Sequence, residues 1–457
     1  MEKKQYERPH IIKLNTGMPA KFGMMNDSFL MTHIEGIPVK DLINEHGSPL
    51  FVISEQVIRN TFRKAYKAFN TRYPKVQFAW SYKTNYLTAV SNIFHQEGAW
   101  AEVVSGFEYD KAIANGIDPK KIIFNGPGKS EEELITAANN GSLIHIDHPD
   151  ELYQLINLAE ATLQKPKVAI RVNMDTGIYP MWDRFGFNYE NGQAWDALNK
   201  IMNSGKLELM GLHTHIGTFI MSANAYGIAA AKLAELTVGL YTKYNHTIKY
   251  LDLGGGFASK NTLKGSYLPG SDTNPGFDDY AEAISTALLN SPIKPENLPI
   301  LVLETGRALI DDAAWLISSV IGNKRLPSGR RATIIDAGVN ILFTSFWYQH
   351  QITPAQGHSQ YREDTSLYGP LCMNIDCIRE SVNLPQLNKG DKLVIHNVGA
   401  YNITQWMQFI TLRPRVVLID KDSQIRIIRE REKLDNIQMQ EQVPESLILH
   451  SDSVVFP

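Results

Sequence analysis

The sequence predicts an α/β protein in which a (β/α)8 barrel is followed by a β domain. Between about residues 50 and 306, eight short apolar runs rich in Val, Ile or Leu alternate with amphipathic segments. Polar or glycine residues follow each run, and beyond residue 306 apolar runs continue with little helix between them. Eight strands alternating with helices favour a parallel barrel, although an open doubly wound sheet would give the same pattern.

The apolar runs have the length of strands rather than of helices. In chain order they occupy residues 76–83, 100–105, 121–126, 143–147, 167–173, 209–217, 248–256 and 300–306.

The segments between the runs have helical signals. One apolar stripe in the segment 55–69 is formed by Ile58, Phe62, Tyr66 and Phe69. Ser54 is a candidate N-cap for that helix. Ser130 and Glu133 have the spacing of a capping box, and the Ala- and Leu-rich stretch 224–243 suits a packed helix.

The β domain is predicted from the last third of the chain. Four runs there read as strands, at residues 331–338, 392–399, 413–420 and 424–430. The first 45 or so residues lack helical periodicity, so we expect them to join this domain. The predicted division is a barrel over residues 47–306, and a β-sandwich or β-barrel domain made of residues 1–46 and 307–457.

Composition excludes several classes of protein. The 457 residues include 45 Lys and Arg against 48 Asp and Glu, with no basic cluster, which argues against nucleic-acid or anionic-membrane binding. No apolar stretch has the length of a membrane span, and the charged N-terminus does not resemble a signal peptide. We therefore expect a cytoplasmic protein. The two cysteines, Cys372 and Cys377, predict neither a disulfide scaffold nor a metal site.

Reactive side chains gather at the predicted strand ends, where barrels place their chemistry. Lys83 ends the first strand, and burial there would lower its pKa and favour Schiff-base formation. Taken alone, a lysine at a strand end is more often a solvated residue. Glu102 lies in the second strand, Arg171 in the fifth, and His215 follows the sixth.

The last two strand ends suggest a phosphate site and an acid. Gly254, Gly255 and Gly256 would let backbone N–H groups approach a phosphate, although a flexible turn is equally compatible with three glycines. Glu304 could face a cationic ring nitrogen, or simply pair with Arg307. A lysine, a phosphate site, an acid and the flat ring of His215 together are what pyridoxal 5′-phosphate (PLP) requires.

Six segments carry a resemblance to a known family. In chain order they are SYKTN around Lys83, GLHTHIGT (211–218), LDLGGGF (251–257), LETGRAL (303–309), GPLC (369–372) and GAYNI (399–403). With these segments the chain resembles the fold type III PLP-dependent decarboxylases, which include diaminopimelate and ornithine decarboxylases. The resemblance implies an alanine racemase-like barrel, a C-terminal β domain that takes in the N-terminal segment, and a head-to-tail homodimer with shared active sites.

The resemblance also implies the role of each matched residue in a decarboxylation that passes through an external aldimine and a quinonoid. Lys83 would bind PLP, His215 would stack on the ring with Glu102 behind it, and Glu304 would pair with the ring nitrogen. Cys372 of the partner subunit would protonate the substrate. The remaining cofactor contacts would come from Arg171, Thr218, Gly254, Gly255, Gly256, Gly306, Arg307 and Tyr401. Arg307, Tyr348 and Tyr401 would also contact the substrate.

Two departures from the family pattern concern the substrate. Met373 follows the partner cysteine where ornithine- and diaminopimelate-type enzymes have an acid. Thr344 stands where diaminopimelate enzymes have an arginine. Lost charge partners reduce recognition, so we expect a substrate other than meso-diaminopimelate. D-Lysine, D-ornithine or an amino-acid conjugate of a siderophore or antibiotic pathway are alternatives, with Arg184 as a candidate carboxylate ligand.

The aromatic run after the 331–338 strand has two interpretations of equal weight. Phe343, Phe346, Trp347 and Tyr348 either shape an altered pocket or pack the β domain. Two other functions are alternatives. A racemase shares the barrel and the lysine, but the GPLC motif argues against it. A catalytically silent regulator would have lost cofactor residues, which this sequence keeps.

Overall fold

The computed structural model describes residues 30–162, 165–358 and 361–448. Its strands are β1 His33–Ile34, β2 Ile37–Pro38, β3 Leu50–Ser54, β4 Val76–Ser81, β5 Trp100–Val103, β6 Ile122–Phe124, β7 Leu143–Ile146, β8 Lys167–Asn173, β9 Phe187–Asn188, β10 Glu208–His213, β11 Tyr250–Asp252, β12 Ile300–Leu303, β13 Ala314–Arg325, β14 Arg331–Ile335, β15 Ile352–Pro354, β16 Arg362–Tyr368, β17 Cys377–Pro385, β18 Lys392–His396, β19 Arg415–Ile419 and β20 Ile425–Arg429.

The helices are α1 Val39–His46, α2 Glu55–Asn70, α3 Thr88–Gln96, α4 Gly106–Ala114, α5 Glu131–Asn139, α6 Pro149–Thr162, α7 Gln193–Ser204, α8 Ala223–Tyr244, α9 Gly270–Thr273, α10 Phe277–Leu289, α11 Arg307–Ile310 and α12 Leu434–Gln438. None of the helices in these ranges combines the length and apolar composition that a membrane crossing needs.

Eight parallel strands form a closed barrel, which confirms the predicted fold class. The order is β10-β11-β12-β4-β5-β6-β7-β8, and the pairing of β10 with β8 closes the circle. Small and branched side chains fill the interior, among them Ala79, Ile123, Ala169 and Val302. The open doubly wound alternative is therefore wrong.

The helix signals in the sequence are largely reproduced. The Ser54 hydroxyl accepts a hydrogen bond from the Val57 amide and caps α2. The capping box of α5 is present, because Ser130 Oγ accepts from the Glu133 amide and Glu133 accepts from the Ser130 amide. The apolar stripe of α2 is correct except at Tyr66, which is 40% exposed.

The second sheet has nine strands, of which the sequence predicted four. Its main order is β17-β16-β14-β13-β3-β19-β20, with β18 paired to β13 and β15 paired to β18. Strand β3 lies between β13 and β19, so the chain enters the barrel at α2 rather than at residue 47. The boundary prediction failed because β3 is a buried apolar run that resembles a barrel strand.

The N-terminal segment packs on this second sheet over its described part. Ile34, Val39 and Leu42 share one apolar cluster with Trp315 and Ile317 of β13. The prediction that this segment lacks a helix is wrong. Helix α1 forms there and buries Val39, Leu42 and Ile43 on one face. Residues 1–29 of the predicted segment lie outside the described residues.

Ser130→Ala removes the acceptor for the Glu133 amide and leaves one N–H unpaired at the start of α5. Ser130 is exposed, so little packing is lost, and we expect the free energy of unfolding to fall by ~1 kcal/mol. Urea denaturation followed by circular dichroism measures the change. Ser130→Asp keeps an acceptor and should retain the wild-type midpoint; equal losses in both variants would contradict the capping role.

Candidate active site

A cavity of about 730 Å³ opens at the carboxyl ends of the barrel strands. It is bounded by loops of the barrel and by segments of the second sheet domain. Its lining residues include Ser81, Lys83, Tyr179, Trp182, His215, Thr218, Phe219, Gly255, Gly256, Leu263, Lys264, Glu304, Gly306, Arg307, Trp347, Tyr348, Tyr401 and Gln405. Most of the strand-end residues singled out from the sequence therefore share one space.

Lys83 lies in a 3-10 turn, Tyr82–Thr84, directly after β4 rather than in the strand itself. Its Nζ donates to Glu102 Oε1 at 2.7 Å and to Oε2 at 2.6 Å, and 36% of the side chain is exposed. Burial lowers the pKa of Lys83, but the carboxylates of Glu102 and Glu304 outweigh it and hold the pKa above its ordinary value. The expectation of a lowered pKa was wrong because Glu102 supplies a buried counter-charge.

Glu304 follows β12 and is 4% exposed. One of its oxygens accepts a short hydrogen bond from the Asn125 amide, which also donates to Glu102 at 3.3 Å. Asn125 follows β6 and donates to both carboxylates, that of Glu102 in β5 and that of Glu304 after β12. Sequence analysis missed it, although its place at a strand end was the signal that identified the other residues.

The three glycines after β11 have different environments. The Gly254 amide donates to Asp252 Oδ1 at 2.8 Å, and the Gly255 amide donates to His215 Nδ1 at 3.2 Å. The Gly256 amide has no acceptor within the described part of the chain. A Cβ at Gly256 would lie 2.2 Å from the carbonyl oxygen of Gly217. Only Gly256 therefore keeps a free N–H for a ligand, instead of all three glycines as predicted.

Arg307 begins α11 and points to the same region. Its guanidinium donates to Thr218 Oγ1 at 3.2 Å and forms a short hydrogen bond to the Tyr348 hydroxyl. The guanidinium carbon also lies 4.6 Å from the ring centroid of Tyr401. Its Nε is buried without a partner. The unpaired N–H groups of Arg307 and Gly256, with the Thr218 hydroxyl, suit a phosphate. Gly306 lets this turn approach Thr84, whose Oγ1 would lie 2.0 Å from an added Cβ.

His215 and Arg171 lie on a smaller adjoining cavity of about 220 Å³, together with Lys83, Glu102 and Glu304. Burial, helped by the positive charges of Arg171 and Lys83, holds the pKa of His215 well below its ordinary value. The imidazole is therefore neutral and suited to stacking. Arg171 donates to Asp147 at 3.5 Å, which holds the guanidinium at the base of the site.

His145, His213 and Glu304 form a compact group that the spacing of the sequence did not reveal. One donor atom from each lies within 4.8 Å of the others, which is a spacing that a metal ion could use. Burial and the cations Arg171, Lys83 and Lys129 hold the pKa of His213 well below its ordinary value. The same cations oppose a bound metal, so we assign the group to the base of the cofactor site.

Four predicted residues, Gly254, Arg184, Cys372 and Met373, do not line either cavity. Arg184 is exposed, and its guanidinium carbon lies 4.5 Å from the Phe185 ring centroid, so its predicted contact with substrate has no support here. Cys372 is exposed and Met373 is partly buried, in a turn that Asp376 fixes by accepting from the Leu371 and Val339 amides.

Thr344 is 1% exposed and does not line the cavity. Its hydroxyl contacts His350 Nε2 at 2.8 Å and donates to Asn402 Oδ1 at 2.9 Å. The aromatic run fulfils both interpretations. Trp347 and Tyr348 line the cavity, whereas Phe343 packs against the Trp347 ring at a centroid distance of 5.3 Å.

Several lining residues could not be found from sequence periodicity. Trp182, Lys264 and Gln405 lie in loops outside the named strands and helices. Trp182 approaches His215 with a centroid distance of 5.4 Å. Taken together, the lysine with its carboxylates, the acid at the base, the neutral imidazole and the phosphate donors fit PLP.

Comparison with known proteins gives the same assignment of the cofactor. Residues 59–311 match the family model described as the pyridoxal binding domain of pyridoxal-dependent decarboxylases. A diaminopimelate decarboxylase of Aquifex aeolicus (strain VF5) is 31% identical over 420 residues, covering 88% of this chain and 94% of the relative. A crystal structure of a diaminopimelate decarboxylase from M. jannaschii in complex with L-lysine is 28% identical, with a TM-score of 0.83 over 91% of this chain and 97% of that chain.

Gly256→Ala places a Cβ against the Gly217 carbonyl and beside the free Gly256 amide. We expect the variant to release PLP. We also expect its free energy of unfolding to fall by more than the cost of a positive φ alone. Gly329→Ala is the matched control, because Gly329 also has a positive φ, +82°, but open space around it; it should lose only ~1–2 kcal/mol. Thermal unfolding and cofactor content after dialysis measure both, and equal behaviour would rule out the close approach.

The buried His350 makes stability depend on pH. Burial lowers the pKa of His350 to about 3, so the folded chain is protonated at this imidazole only at a lower pH than the unfolded chain. Its contribution is present above the ordinary histidine pKa and is lost as pH falls towards 3, by at most ~1.4 kcal/mol per pH unit. Urea midpoints over this range should fall less steeply in His350→Gln than in wild type. His33→Gln, at an exposed position, should keep the wild-type slope.

Proposed function

This chain belongs to the pyridoxal-dependent decarboxylase family, and we propose that it decarboxylates an amino acid other than meso-diaminopimelate. The family membership makes it a PLP-dependent lyase that releases CO2 from an amino acid. The observation that carries the substrate proposal is the environment of Thr344. This residue carries no charge, and its hydroxyl is bound to the buried side chains of His350 and Asn402. It therefore cannot replace an arginine as a partner for a substrate carboxylate.

The proposed roles follow from the geometry of each side chain. Lys83 Nζ holds the cofactor and later releases the product amine, and Glu102 takes the proton that Nζ must lose first. Glu304 keeps a ring nitrogen protonated, and the cofactor, when bound, accepts the electron pair left as CO2 departs. The neutral His215 ring stacks on the cofactor, with Arg171 at the base of the site.

The phosphate is proposed to lie between the Gly256 amide, Thr218 and Arg307, with Tyr401 at its side. This end of the cavity has three unpaired or re-orientable donors and no carboxylate within the lining residues. The Tyr348 hydroxyl, which contacts Arg307, is proposed to lie between this end and the substrate.

A homodimer is part of the proposal because Cys372 is exposed and does not line the cavity of its own chain. We infer that Cys372 of the partner subunit enters each site and protonates the α-carbon after CO2 has left. Met373 would enter with it and would present a thioether where a distal ammonium would need an acid. This arrangement disfavours ornithine and its D isomer as substrates.

Among the alternatives, the cavity favours an amino-acid conjugate over D-lysine or D-ornithine. Its volume of about 730 Å³, which the cofactor and the substrate share, lies in the range of pockets that hold large ligands. Its outer walls are formed by Tyr179, Trp182, Phe219, Leu263 and Trp347, which suit an uncharged chain.

The first test is spectroscopic. The purified protein should be yellow, and borohydride should attach the cofactor covalently to the peptide that contains Lys83. A panel of L- and D-amino acids and amino-acid conjugates should then identify a compound that releases CO2. A colourless protein that takes up no PLP would favour the silent regulator, and CO2 release from meso-diaminopimelate above all other compounds would overturn the substrate proposal.

Mixing two inactive variants tests the shared site. Lys83→Ala and Cys372→Ala should each be inactive alone. After the two are mixed and allowed to exchange subunits, each mixed dimer has one intact site, so we expect about a quarter of wild-type CO2 release. Cys377→Ala, which changes the other cysteine, should remain active. Failure of the mixture to recover activity, although mixed dimers form, would contradict the shared-site arrangement.

A further inference from the structure

We propose that Lys264 selects substrates whose distal end is anionic. This inference rests on the proposed decarboxylase site and names the substrate class that this site would accept. Lys264 lies in the loop between β11 and α9, and its side chain lines the main cavity.

The loop that carries Lys264 is fixed to the second sheet domain. Its backbone amide donates to the Trp347 carbonyl at 2.8 Å, and the amide of Gln349 donates to the Thr262 carbonyl at 2.8 Å. Between these two bonds, Leu263 forms an antiparallel bridge with Tyr348. The Tyr348 hydroxyl contacts Arg307, so the position of Lys264 is set relative to the proposed phosphate site. A side chain on such a fixed loop can contact only ligands that extend far enough from the proposed phosphate site to meet it.

Lys264 is a charged residue of the cavity lining that the proposed cofactor contacts do not use. Of the lining residues, Lys83 and Glu304 belong to the cofactor end, and Arg307 lies at the proposed phosphate. Lys264 is the remaining charged residue of the lining, and within the described part of the chain it has no carboxylate partner. An ammonium on the substrate would meet this positive charge and no acid, whereas a carboxylate, phosphate or sulfonate would gain a partner.

The surroundings strengthen such a contact. Leu263, Phe219 and Trp347 line the cavity near the loop, and apolar walls reduce the screening of a charge pair. Lys264 itself is exposed, and many exposed lysines are only solvated. Those lysines do not discriminate between ligands of opposite charge, so discrimination is the property to measure.

The experiment uses the holoenzyme and three probes that differ at the distal end. L-2-Aminoadipate is anionic there, L-norleucine is neutral and L-lysine is cationic. Each is titrated against the cofactor absorbance, which reports binding without requiring turnover. Wild type should bind L-2-aminoadipate about tenfold more tightly than L-lysine, a difference of ~1.4 kcal/mol. Lys264→Glu should reverse the order, and Lys264→Arg should keep it.

Lys389→Glu is the matched control. It changes the net charge by the same amount at an exposed position that does not line the cavity, so it should keep the wild-type order. If Lys264→Glu and Lys389→Glu give the same order of affinities, Lys264 does not select the substrate and this inference fails alone. A holoenzyme whose absorbance responds to none of the three amines also overturns this inference and leaves the cofactor assignment standing. A protein that takes up no PLP overturns the proposed decarboxylase site, and the inference fails with it.

Discussion

Two carboxylates and an ammonium group lie close together at the carboxyl ends of the barrel strands, above an interior lined by apolar side chains. Glu102, Glu304 and Lys83 come from different strand ends, and Asn125 connects the two acids. Buried charges of this kind are costly unless each has a partner. The ion pair of Lys83 with Glu102 removes much of that cost, and it joins the ends of the paired neighbouring strands β4 and β5. The chemistry of the site therefore depends on the register of adjacent barrel strands.

The other end of the cavity depends on the second sheet domain. Arg307 lies at the junction, and the hydroxyl of Tyr348 and the ring of Tyr401 reach it from two separate segments of that domain. Thr344 and Asn402 connect these two segments through buried hydrogen bonds. The position at which an arginine would have bound substrate thus serves to hold two aromatic residues in place. The barrel supplies the lysine and the two carboxylates, and the second sheet domain shapes the space around them.

The sequence predicted the barrel well because each of its strands is a local apolar run and needs no distant information. The residues at strand ends, such as Lys83 and Glu304, followed from the same logic. The pairing of strands that lie far apart in the sequence was not predictable in this way. Strand β3 has the composition of a barrel strand, and only its neighbours β13 and β19 show that it belongs elsewhere. Lys264 and Trp182 were missed because loops have no period, and the pKa of Lys83 depends on a carboxylate whose distance the sequence does not contain.

The position of β3 has a consequence for the synthesis of the chain. Its five residues are all buried, and they pair with β13 on one side and with β19, Arg415–Ile419, on the other. A ribosome adds ~5–20 residues per second, so β3 emerges tens of seconds before β19 exists. During that interval an apolar strand has an open edge, which other nascent chains can join. Both edges of β3 can be paired only after translation has passed β19, so the last strands of the chain complete a sheet that one of its first strands begins.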